Sequence, residues 1–115
     1  MELKIKAVVF EHPEPQTWGN YCGYCPATLY FCSGANTDEV SERIKRAIKI
    51  ELLCNVHLPE RYIKLGWKLL ENSIIPPNFA DEELIKLTEE SYCIKIDNPI
   101  IVELNVKISS IEDLL

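Results

Sequence analysis

The sequence predicts an α+β domain: a three-stranded antiparallel sheet with one amphipathic helix, then a C-terminal helical segment and an additional β-strand. Three stretches carry this reading. Residues 2–10 alternate, with Leu3, Ile5, Ala7 and Val9 on one side and Lys4, Lys6, Val8 and Phe10 on the other, the period of a strand. Val40, Ile44, Ala47, Ile48 and Leu52 recur at helical spacing. Ile100, Val102, Leu104, Val106 and Ile108 alternate with Ile101, Glu103, Asn105 and Lys107, a second strand pattern.

The elements follow in order. His12-Pro13-Glu14-Pro15-Gln16 ends the first strand, because two prolines remove ladder donors. Thr17 to Tyr24 is aromatic-rich and reads as the second strand, Pro26-Ala27 as a turn, and Thr28 to Ser33 as the third strand. Short connections between them favour an antiparallel meander. Gly34-Ala35-Asn36 breaks the pattern, and Asn36 or Thr37 caps the helix that follows. Asn36 with Glu39 approximates a capping box, and Asp38 and Glu39 suit the positive end of the helix dipole.

Pro59 opens a second helix, in which Tyr62, Leu65 and Leu69 form one apolar stripe and Ile63, Trp67 and Leu70 another. Asn72 to Asn78, with Pro76-Pro77, reads as a loop, Asp81 to Thr88 as a short helix, and Tyr92 to Ile96 as a brief strand. Asp97-Asn98-Pro99 is a turn before the last strand, Ile100 to Ile108. No linker interrupts the chain. Residues 1–56 are expected to form the β-β-β-α core and 57–115 an extension packed on the same domain.

Composition bounds the function. With 115 residues and 47% hydrophobic side chains, the chain can build one core. No apolar run reaches the roughly 18–20 residues of a membrane span. Met1-Glu2-Leu3-Lys4 lacks the basic start of a signal peptide, so a cytoplasmic location is expected. Five cysteines, an odd number, then imply reduced thiols. Net charge is −6, divided as −1 over residues 1–36, zero over 37–56 and −5 over 57–115. An acidic second half repels phosphate backbones and favours a basic protein partner; direct nucleic-acid binding is not supported.

Several residues invite chemistry. Cys22-Gly23-Tyr24-Cys25-Pro26 has the spacing of a redox motif, but such a site needs its first thiol at a helix N-terminus, and a strand pattern follows Pro26. Cys22 and Cys25 with Cys54 and His57 offer two pairs at zinc-ligand spacing, although the 28 residues between the pairs exceed the usual separation. Cys32 and Cys93 read as packing residues, and His12 and His57 as solvated or capping residues. Arg43, Lys45, Arg46 and Lys49 alternate with acids on a solvated helix face. Trp18 and Trp67 read as core or interface anchors. With no catalytic set evident, a non-enzymatic role is expected.

Two segments resemble the HicB-like antitoxin family. Thr17-Trp18-Gly19-Asn20-Tyr21-Cys22 is similar to that family's second strand, with an aromatic, a small residue and a second aromatic before the turn. Cys32-Ser33-Gly34-Ala35-Asn36-Thr37-Asp38-Glu39-Val40 is similar to its third-strand exit and helix start, and Arg46-Ala47-Ile48 resembles an Ala-Ile pair on that helix. The likeness covers about residues 3–53. The turn Gly23–Ala27 departs from the family's Asp-Pro-Gly pattern, and the acidic second half shows neither of the family's usual DNA-binding units. The resemblance implies a module that neutralises a small basic, mRNA-cleaving HicA-like toxin by protein–protein contact, and a homo-oligomer, in which an exposed C-terminal edge strand is expected to help. The alternatives are a small zinc-binding protein using Cys22, Cys25, Cys54 and His57, and a stand-alone dimer.

Overall fold

In the computed structural model, residues 2–14, 17, 19–54, 59–70 and 73–107 are described, side chains at 53, 54 and 59 excepted. The alternation of the first strand fixes the architecture. β1 (Glu2–Glu11) sends Leu3, Ile5, Ala7 and Val9 into one buried cluster and Val8 and Phe10 into another on the opposite face. A strand buried on both sides is a central strand. β1 lies between β2 (Tyr21–Cys25) and β6 (Ile100–Lys107), with β3 (Tyr30–Gly34) outside β2, in the order β3-β2-β1-β6.

All three pairings are antiparallel. The sheet therefore has four strands rather than three, because the additional C-terminal strand joins it directly. β6 pairs with eight residues of β1, twice the four that β2 reaches. The second half of the chain thus supplies most of the ladder holding β1.

The boundaries of β2 and β3 shift from expectation for local reasons. β2 starts at Tyr21, not Thr17: Gly19 has φ +119° and lies so close to the Gly34 carbonyl that a Cβ there would collide. Trp18 lies outside the described residues. The turn after β2 takes in Thr28 and Leu29 as well as Pro26-Ala27, with the Thr28 N–H donating to the Cys25 carbonyl at 3.3 Å and Leu29 at φ +55°. β3 accordingly begins at Tyr30.

α1 (Thr37–Cys54) forms as its cap and stripe predict. Asn36 Oδ1 accepts from the Glu39 N–H at 2.8 Å, satisfying one of the orphan donors of the first turn. Val40, Ile44, Ile48 and Leu52 are buried against the Leu3–Val9 face. Gly23 permits this approach: a Cβ there would collide with Val40 and come within 2.8 Å of Ile44 Cδ1.

The second half differs more from its pattern. α2 (Pro59–Lys64) opens on Pro59, but stops well before Leu70. Gly66 adopts φ +98°, its N–H bonds the Ile63 carbonyl at 3.1 Å, and the Trp67 N–H reaches the Tyr62 carbonyl at 2.9 Å. This is a Schellman stop with glycine at the left-handed position. The residues beyond it form a hairpin of β4 (Lys68–Leu70) and β5 (Ser73–Ile75), where helix and loop were expected.

Ile74 packs on the first cluster, Phe79 on both clusters, and Asp81 pairs with Lys6 at 3.2 Å. Residues 74–81 thereby carry the chain from one sheet face to the other. There α3 (Asp81–Tyr92) buries Leu84 and Thr88. Cys93 takes a left-handed conformation and stops α3, with the Ile94 N–H bonded to the Glu89 carbonyl at 3.2 Å. Residues 92–96 are therefore a helix end and a turn, not a strand. The result is three layers, with α1 on one face of the sheet and α3 on the other.

Candidate interaction surface

The cysteine motif is taken apart by the strand it sits on. Side chains three positions apart on a strand point to opposite faces, and Cys22 and Cys25 both lie on β2. Cys22 packs in the cluster under α3 and Cys25 in the cluster under α1. Their thiols do not converge on one ion, and Cys25 opens no helix. Cys54 ends α1, but its side chain and all of His57 lie outside the described residues. Among the described residues no three His, Cys, Asp or Glu side chains group as metal ligands.

Burial pushes the Cys22 and Cys25 thiols up, and raises Cys32 to about 11, with Arg43 pulling the other way. Thiols so shifted are protonated at neutral pH and poor nucleophiles. Cys32 instead donates to the Val40 carbonyl at 3.7 Å, and the exposed Cys93 to the Glu90 carbonyl at 3.6 Å.

The remaining sequence candidates take structural positions. His12 Nδ1 accepts from the Glu14 N–H at 3.1 Å, which orders the loop after β1. Arg43 pairs with Glu39 at 2.5 Å and donates to the Ser33 carbonyl, bracing α1 against β3. Trp67 is buried and its Nε1–H donates to the Ala27 carbonyl at 2.7 Å, tying the stop of α2 to the β2–β3 turn.

One part-buried arrangement has no local signal in the sequence. Glu51 on α1 pairs with Arg61 on α2 at 3.2 Å, Arg61 donates to the Thr28 carbonyl at 3.4 Å, and the Tyr62 hydroxyl donates to the Glu51 carbonyl at 3.3 Å. Burial raises the Glu51 carboxyl, with Arg61 lowering it in part; burial and Glu51 together push Tyr62 up to about 12. This brace joins three segments distant in the chain.

The outward features are the back of α3 and the edge of β6. Asp81, Glu82, Glu83 and Glu90 are exposed on α3, with Lys86 the one base on the helix. Asp81, Glu82 and Glu83 suit the positive end of the helix dipole. Glu89 and Glu90 do not: they sit at its negative end, where a cation is favoured, and the last turn has no base. Glu89 Oε2 accepts from the Ile96 N–H at 2.8 Å. Glu90 has no such structural task among the contacts described and faces solvent.

The edge strands differ. β3 is five residues long, and Arg43 occupies its Ser33 carbonyl. β6 is eight residues long, and among the described residues no backbone hydrogen bond reaches its outer side. No helix among the described residues is long and apolar enough to cross a membrane.

In comparisons with known protein families, curated proteins and solved structures, no match to this chain is found.

Proposed function

We propose that this chain is a protein-binding module of the HicB-like antitoxin kind, which neutralises a small basic partner by covering it. In its most concrete form the partner is an mRNA-cleaving, HicA-like toxin. The observation that carries the reading is the back of α3. Its exposed acids run from the first turn, where Asp81, Glu82 and Glu83 favour the helix dipole, to Glu90 in the last turn, which works against it, so the dipole does not account for Glu90. A mainly acidic ridge, with Lys86 as its one base, speeds encounter with a basic surface and disfavours acidic partners. The β-β-β-α order of residues 2–54 supports the family likeness, although of the segment Thr17–Cys22 the strand takes in Tyr21 and Cys22 alone.

The test is co-expression with small basic proteins encoded beside this chain, followed by affinity capture. A stable complex is expected, weakened as salt rises and lost when Glu82, Glu83 and Glu90 are changed together to lysine. Capture that survives this triple reversal, or no complex with any neighbouring product, rejects the proposal. Glu89 is left intact because it holds the Ile96 N–H.

A further inference from the structure

An open edge strand is a template for another strand, and β6 has the sequence to receive a second copy of itself. On its α1 side it presents Leu104 and Val106, both buried; on its α3 side, Glu103, Asn105 and Lys107 are exposed. Antiparallel pairing of two copies about a two-fold axis sets residue i opposite a fixed complement. If faces are to remain continuous, the axis must pass through a residue rather than between two.

Few such registers exist, and charge separates them. With the axis at Glu103 or at Lys107, like charges face each other. With the axis at Leu104, Lys107 falls opposite Ile101; at Val106, it falls opposite Asn105. With the axis at Asn105, Glu103 faces Lys107 of the partner subunit twice over, and Leu104 faces Val106 of the partner subunit on the apolar side. Five described residues from each copy then pair, as many as join β3 to β2. The other edge of the sheet is guarded by its shortness and by Arg43.

We infer that two copies of this chain join through β6 in antiparallel register about Asn105, forming one continuous eight-stranded sheet with both α1 helices on the same face. The inference does not depend on the toxin-binding reading, which concerns α3.

The test measures the mass of the full chain in solution by light scattering, with circular dichroism to follow folding. The wild type is expected at twice 13.2 kDa. Glu103→Lys and Lys107→Glu each turn two attractions into two repulsions, and each is expected to weaken the dimer by roughly tenfold or more. The double swap Glu103→Lys/Lys107→Glu restores the pairing between copies. It still leaves Lys6 opposite Lys at position 103 and Glu2 opposite Glu at position 107 within each chain.

Recovery of the dimer in the double swap therefore reports the interface and not monomer stability. Should the single variants fail to fold, Asn105→Asp carries the test: within the chain it faces Lys4, on the axis it meets its own copy, and a dimer it does not weaken overturns the register. A monomeric wild type, a dimer indifferent to both single reversals, or a double swap that stays monomeric overturns it.

Discussion

The two faces of the sheet are unequal. Among the described residues, the cluster on the α1 face holds fourteen buried residues, drawn from β1, β2, β6, α1, α2, Ala27 and Trp67, and the cluster on the α3 face holds five. Burying a Val, Leu or Ile side chain contributes about 1.5–3 kcal/mol, so the α1 face holds most of the stability. α3 is attached by Leu84, the Tyr92 ring and hydroxyl, and the Lys6–Asp81 pair. That pair is solvent-exposed and of the kind worth at most about 1 kcal/mol. The difference teaches that one layer can be the foundation while the other presents a surface. The acids of α3 sit on the helix that covers the thinner face, and weakly held segments are where binding roles are often found.

The comparison is broken most directly at Ile44. It is fully buried and touches the space that Gly23 leaves open. Ile44→Ala is expected to cost about 2–5 kcal/mol, read as a fall in the urea midpoint seen equally by every probe. Leu84→Ala, on the thin face, is expected to cost about 2–3 kcal/mol and to act locally. Amide exchange should quicken across residues 81–92 and stay slow in β1 and α1. If exchange quickens uniformly in the Leu84 variant, the two faces form one cooperative unit and the distinction fails.

Alkaline pH loads both faces, the α3 side through Cys22 and Tyr92 and the α1 side through Cys32 and Tyr62. Cys32 rises from 9.0 to about 11 and Tyr62 from 10.0 to about 12 on folding. Both are acids whose neutral form the fold favours, so the unfolded chain releases protons first. Stability from these groups is complete below pH 9 and drains as pH climbs from about 9 to about 12. The urea midpoint should be flat from pH 7 to 8.5 and fall above pH 9. Cys32→Ala should lessen the first part of that fall. A midpoint unchanged at pH 10.5 would contradict the assignment.

What the sequence disclosed follows the same division. β1, α1 and β6 were legible because each carries its own periodicity, and Asn36 with Glu39 marks the start of α1. The Cys22–Cys25 separation was not legible, because the strand pattern in the sequence ends at Tyr24; only with Cys25 on β2 does the odd offset send the two thiols to opposite faces. Gly66 was a readable stop, masked by apolar residues on both sides of it that keep a helical spacing. The stop at Cys93 was hidden, because the left-handed position is held by cysteine rather than glycine or asparagine. That β6 lies beside β1, and that Glu51 meets Arg61, are pairings between distant segments that no local pattern encodes.

The smallest expected effect is at Tyr92, which ties α3 to β2. Its hydroxyl donates to the Gly23 carbonyl at 2.9 Å, while its ring meets Phe10 edge-on at 5.0 Å and Phe31 at 5.2 Å. Burial raises the phenol far above its ordinary value, so it remains a donor throughout the physiological range. Tyr92→Phe keeps both ring contacts and removes one hydrogen bond, a loss of about 1 kcal/mol. Gly23 lies in the middle of the β2 ladder, with partners on β1 and β3, so its backbone is held by the sheet when the tyrosine is gone. The thermal midpoint should therefore fall by only about 4 °C. A cost approaching that of Ile44→Ala would mean that the bond from α3 to β2 supports the core, and that the thin face is not thin.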